Sequence, residues 1–181
     1  FTGRLETSVE IIKLLAGISH QSFKKIQISS GSKNSAVALA EPNDLNFNEV
    51  MTSFLLGQGQ LAWNSSRLFV LEKFEKIWED KIREELSMLR PSESIEDSSL
   101  WTPCLKSASF QKFSEIKKQA KEDQAKLIET PYDLKDNEKS RYLNPTFTKD
   151  MSRCSTLQQD QIHSPFFILS SVKYPFDVAK Y

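Results

Sequence analysis

Residues 66–89 read SRLFVLEKFEKIWEDKIREELSML, and the reading of this stretch decides the fold. Leu71, Phe74, Trp78, Ile82, Leu86 and Leu89 fall at helical spacing and form one apolar stripe. The opposite side carries Glu72, Lys73, Glu75, Lys76, Glu79, Asp80, Arg83 and Glu84. Glu72–Lys76 and Glu79–Arg83 stand in the favourable i,i+4 order, each worth about 0.2–0.5 kcal/mol. The stretch therefore reads as one long amphipathic helix, ended by Pro91. Its acidic residues Glu79, Asp80, Glu84 and Glu85 are expected on a solvated charged face, not as buried general acids.

Working back from this helix, the chain passes through Gly57-Gln58-Gly59-Gln60-Leu61-Ala62-Trp63-Asn64. Two glycines one residue apart raise the question of a phosphate loop. The run lacks the third glycine of G-x-G-x-x-G and the Gly-Lys-Ser/Thr of a P-loop. It also follows a helix-like segment holding Val50, Met51, Phe54, Leu55 and Leu56, with Asn46 or Asn48 as its cap, where those motifs require a strand. Gly57 is read as the left-handed residue that closes that helix. Asn64, Ser65 or Ser66 is read as the cap of the next, and Trp63 as packing at the corner between them.

Further upstream, Thr7-Ser8-Val9-Glu10 fits a capping box for a helix over about 8–19, apolar nearly all round. Alternating runs at 23–29 and 35–41 flank the turn residues of SGSKN and read as a β-hairpin over about 23–40. Downstream, 91–107 is a connector with an acidic, serine-rich patch. A helix over about 108–128 follows, with Phe110, Phe113, Ile116, Ala120 and Leu127 inward. Beyond 129 the periodicity is lost until a β-like run at 166–172.

The expected fold is α+β and mainly helical: about four helices, a small hairpin and an extended C-terminal arm. Residues 1–128 form the helical domain and 129–181 the arm. The arm carries Tyr132, Tyr142, Phe147, Phe166, Phe167, Tyr174, Phe176 and Tyr181 in an otherwise polar setting. Aromatic residues so placed read as anchors for a partner protein.

No residues carry recognisable site chemistry. His20 and His163 have no ligand-spaced companions, so no metal site is expected, and no cofactor motif is present. Cys104 and Cys154 are too few for a disulfide framework and read as free thiols of a reducing compartment. Charges balance at 24 basic against 24 acidic residues, which gives no global signal for nucleic acid. No apolar run is long enough to span a bilayer. The chain starts at Phe1 and is expected to be a fragment or processed form.

These readings converge on a non-enzymatic scaffold: a subunit of a larger intracellular assembly, nuclear or cytoplasmic, in a hetero-oligomer. Its expected partner-binding residues are Tyr142, Phe147, Phe166, Phe167, Tyr174, Phe176 and Tyr181. The alternative is an accessory subunit on DNA or RNA, using Lys24, Lys25, Lys112, Lys117, Lys118 and Lys121.

Overall fold

A computed structural model describes residues 1–18, 25–92, 94, 96–106, 108–132 and 141–181. The chain forms two compact units, 1–32 and 33–181. In the first, β1 (Thr2–Gly3) pairs in parallel with β2 (Ser29–Ser30), and α1 spans Leu5–Gly17. Ser8 is the buried residue of α1, whereas Leu5, Val9, Ile12 and Leu14 are exposed.

The second unit is built on a five-stranded sheet with order β3-β4-β7-β6-β5. Its strands are β3 (Asn34–Ala38), β4 (Ser65–Leu71), β5 (Lys126–Glu129), β6 (Thr146–Lys149) and β7 (Phe166–Val172). The first four strands in that order run parallel, and β5 closes the edge antiparallel to β6. Three helices complete the unit: α2 (Asp44–Leu55), α3 (Glu75–Met88) and α4 (Ser109–Glu122).

Period-2 alternation explains how both faces of the sheet are filled. On β7, Phe167 and Leu169 join Leu68 and Val70 of β4, Phe147 of β6, and the α2 and α3 residues Phe54, Met51, Trp78, Ile82 and Leu86. Phe166 and Ile168 point the other way and pack with Phe113, Ile116 and Ala120 of α4. A parallel strand covered on both faces is apolar at consecutive positions. That is why Leu68-Phe69-Val70 and Phe166-Phe167-Ile168-Leu169 are buried runs.

The structure corrects the mainly helical expectation. The stretch 66–89 is not one helix. It is strand β4, a 3-10 turn over Glu72–Phe74, and then α3. The helical stripe is real only from Trp78 to Leu86. Burial of Leu68, Phe69 and Val70 between two layers overrides the helical spacing, because consecutive apolar residues suit a doubly covered strand.

The hairpin expectation fails as well: β2 pairs with β1 and β3 pairs with β4, both in parallel. Its first residues, through Lys24, lie outside the described residues, as does His20. The extended arm is replaced by β6 and β7, with β7 as the central strand of the sheet. The boundary expected at 128/129 falls within β5. The box at Thr7–Glu10 is not the start of α1, whose N-cap is Arg4. For α2 the cap is Asn43, which exchanges hydrogen bonds with Asn46.

Candidate functional site

Because β3, β4, β7 and β6 are parallel, their first residues share one edge of the sheet. The corner at 57–64 lies here, between α2 and β4. Three successive residues, Gly57, Gln58 and Gly59, take left-handed conformations with φ of 61°, 59° and 64°. Gly57 does end α2. Gly59 is required for a second reason: a Cβ there would stand 2.5 Å from the carbonyl oxygen of Ser164. The corner thus presses directly on the segment that leads into β7.

Asn64 latches the corner instead of capping a helix. Its Oδ1 accepts from the Leu61 N–H at 2.8 Å, and its Nδ2 donates to the carbonyls of Ser53 at 3.0 Å and Leu56 at 3.1 Å. Gln60 ties in the connector, accepting from the Leu105 N–H at 3.0 Å. Trp63 does not pack at the corner; it is 61 % exposed. Thr146 N–H donates to the Pro165 carbonyl at 2.9 Å, which brings the start of β6 against the start of β7.

The buried side-chain polar atoms without hydrogen-bond partners, among the described residues, all gather on segments entering these strands. They are Lys33 Nζ, both amide atoms of Gln58 and of Gln158, Asn144 Oδ1 and Ser164 Oγ. Lys33 directly precedes β3, Asn144 stands two residues before β6, and Ser164 stands two residues before β7. Gln158 returns to the same edge through its carbonyl, which accepts from Arg67 of β4 at 3.2 Å. Gln58 is 1 % exposed and Ser164 4 %. Orphaned polar groups cost about 1–3 kcal/mol each when buried, so a cluster of them on one edge marks a place where a ligand or ordered water completes the bonding.

At the carboxyl edge, the end of β6 carries an ion-pair network. Lys149, at the end of β6, bonds Glu79 at 2.7 Å and Glu75 at 3.0 Å, and Arg83 bonds Glu79 at 2.7 Å. The Lys149 bond, reinforced by Arg83 and opposed by burial, holds the Glu79 carboxyl down to about 2. Glu79 therefore stays ionised and pins α3 to β6. It is buried, not on a solvated face as its spacing suggested.

The thiols offer no activated nucleophile at the amino edge. Burial pushes Cys104 up to about 11, which keeps it protonated. Cys154 is exposed and precedes Ser155, which donates to Asp123 where α4 ends. That position belongs to the carboxyl side of the sheet. Among the described residues no group of His, Cys, Asp and Glu is arranged to hold a metal ion.

The sequence matches the aldehyde dehydrogenase family over residues 1–179. The chain belongs to this family. Solved structures of similar fold include an NAD+ complex of an aldehyde dehydrogenase from Bacillus cereus, with TM-score 0.82, 19 % identity, and coverage of 99 % of this chain and 36 % of that one. Betaine aldehyde dehydrogenase from Staphylococcus aureus, in complex with NAD+, gives TM-score 0.85 and 16 % identity, covering 99 % and 35 %. HpcC from Thermus thermophilus gives 0.81 and 20 %, covering 99 % and 35 %. The chain thus spans about a third of the length of the structures it resembles.

Family membership overturns the expectation of a non-enzymatic scaffold or nuclear complex subunit, and with it the nucleic-acid alternative. This is a domain of an oxidoreductase family. The residues singled out in the sequence do not gather into a site. Phe147, Phe166 and Phe167 are core residues of the sheet. Tyr142 packs edge-on against Trp101 and donates to the Ser92 carbonyl. Tyr181 packs on Phe69 and under Arg153. Tyr174 and Phe176 remain exposed and stack on each other, centroids 5.4 Å apart.

Of the lysines, Lys24 lies outside the described residues. Lys117 pairs with Glu129, and Lys118 with Glu122 at 3.8 Å. Lys25, Lys112 and Lys121 are exposed. The residues that sequence reasoning missed are Gln58, Asn144, Gln158 and Ser164. One signal was available: Asn144-Pro145 and Ser164-Pro165 are polar–proline pairs set ahead of apolar runs, where proline suits the start of a strand.

Proposed function

We propose that this chain supplies the carbonyl-binding edge of an aldehyde oxidoreductase. The observation that carries the reading is the cluster of Gln58, Asn144 and Ser164, with buried, unpartnered polar atoms along the amino edge of the sheet in a chain of this family. The Gln58 amide and the Ser164 hydroxyl are neutral donors held by the corner and by Gly59. Such donors polarise a carbonyl and stabilise the oxyanion that forms when it is attacked, with no reorganisation at the moment of reaction. Asn144 Oδ1 accepts, and so suits a hydroxyl of a substrate or of an aldehyde hydrate. The chain's part is binding and polarisation, since neither described thiol is fitted to attack.

The structural neighbours that hold NAD+ suggest the same oxidant for the whole protein. The residues described here do not fit its pyrophosphate. A dinucleotide cradle needs a glycine-rich turn from strand to helix. The turns at 39–43 and 72–74 contain no glycine and carry Glu41 and Glu72.

The test is aldehyde binding by the chain itself, read as ligand-induced thermal stabilisation. Wild-type protein is expected to be stabilised by a panel member among short-chain aldehydes, and Gln58→Leu to lose that response while folding normally. Equal stabilisation of both, or of neither, would overturn the assignment.

A further inference from the structure

At the β3–β4 end of the same edge, a second cluster has a different character, because it is cationic. Arg67 of β4 donates to Ser35 Oγ at 3.0 Å and to the carbonyls of Lys33 at 2.9 Å, Gln158 at 3.2 Å and Tyr181 at 3.4 Å. The acceptors on Ser35, Lys33 and Gln158 are neutral. Lys33 Nζ is buried and makes no hydrogen bond. Among the described residues, no Asp or Glu side chain forms an ion pair with either group.

We propose that Lys33, Arg67 and the Gln158 amide form a binding site for a small oxyanion, either phosphate or a carboxylate. Two basic groups set close together in a largely buried place, with no Asp or Glu side chain in an ion pair with them, favour a ligand that carries negative charge. Burial and the nearby Arg67 both push Lys33 down, to about 7, and Asp160 only partly offsets them. An oxyanion removes this penalty. Its oxygens would accept from Lys33 Nζ and from the Gln158 amide nitrogen, while Arg67 contributes charge from its fixed position.

The Gln158 side chain supports the assignment independently of charge. It is 2 % exposed, and both its amide atoms lack partners. The neighbouring Asn34, Gln159 and Asp160 are exposed, and Lys33 and Arg67 are themselves partly exposed. A neutral ligand would satisfy the amide but leave the Arg67 charge uncompensated and the Lys33 proton weakly held. A metal cation would add to that charge. Chemistry therefore selects an anion with at least two acceptor oxygens.

The inference is separate from the aldehyde reading, and its test uses no aldehyde. Thermal unfolding of the chain is followed at neutral pH in sodium phosphate, sodium acetate and sodium chloride of equal ionic strength. Phosphate, acetate or both are expected to raise the midpoint saturably, by about 5 °C at saturation, relative to chloride. A response to phosphate alone identifies a phosphate site, and one to acetate a carboxylate site. Lys33→Met is expected to abolish the response. Where Lys33→Met fails to fold, Gln158→Leu makes the same comparison and is expected to weaken the response at least tenfold in apparent affinity. No saturable shift in wild type, or the same shift in wild type and variant, would overturn the proposal.

Discussion

At the scale of single residues, the chain departs from local preference where function is expected. Gly59 is the clearest case. Its φ of 64° suits glycine, and the Ser164 carbonyl occupies the space that a side chain would need. Gly59→Ala is expected to cost about 1–3 kcal/mol, measured as a lower urea midpoint. Gln58 holds a similar φ without being glycine, and its amide is buried and unpaired. Lys33 gives a pH prediction whose sign is fixed by linkage. Its folded-state pKa lies near 7 against 10.5 in the free side chain. Between these values the unfolded chain binds the extra proton, so this lysine makes stability rise as pH climbs above 7. Lys33→Met is expected to flatten that rise over about pH 7–8, the window below the ordinary range of the Cys104 thiol, as read by denaturant unfolding at several pH values.

At the scale of elements, α3 is fastened to β6 through Glu79 and Lys149. Lys149→Met leaves Glu79 buried with Arg83 alone. A loss of about 1.5–3 kcal/mol is expected in chemical denaturation. The Glu79 pKa is depressed, so its contribution is present above about 4.5 and lost as pH falls toward about 2. Wild type should therefore lose stability through this acid range more steeply than Lys149→Met.

The elements also show what could be read in the sequence. The amphipathic stripes of α3 and α4 were legible, since Trp78, Ile82, Phe113 and Ile116 recur at helical spacing and are buried. So was strand β7 at 166–172. Strand β4 was not legible, because Leu68-Phe69-Val70-Leu71 runs straight into the α3 stripe without a glycine or proline between them. A buried parallel strand has no alternation to distinguish it from a helix. The corner was legible as a helix stop at Gly57. It was not legible as a site, because the orphaned atoms of Gln58, Asn144 and Ser164 come from segments about 20 to 100 residues apart, which only the sheet brings to one edge.

At the scale of the molecule, the sheet is the framework and its two edges divide the work. The carboxyl edge carries ion pairs between β6 and α3, and the amino edge collects unsatisfied polar groups. Truncating the centre should collapse both: Phe167→Ala, on the strand between β4 and β6, is expected to cost about 3–5 kcal/mol. Of the aromatic residues expected to bind a partner, Tyr174 and Phe176 are exposed and stacked, and we propose this pair as a contact for another protein subunit. The central claim is that the amino edge binds and polarises an aldehyde carbonyl. Its most direct test is NADH formation by the full-length protein with NAD+ and an aldehyde. The account predicts that Gln58→Leu lowers kcat/KM by about 100-fold, with Lys112→Ala, on the exposed face of α4, unchanged. Equal activity of Gln58→Leu and wild type, or no aldehyde oxidation by the wild-type protein, would contradict it.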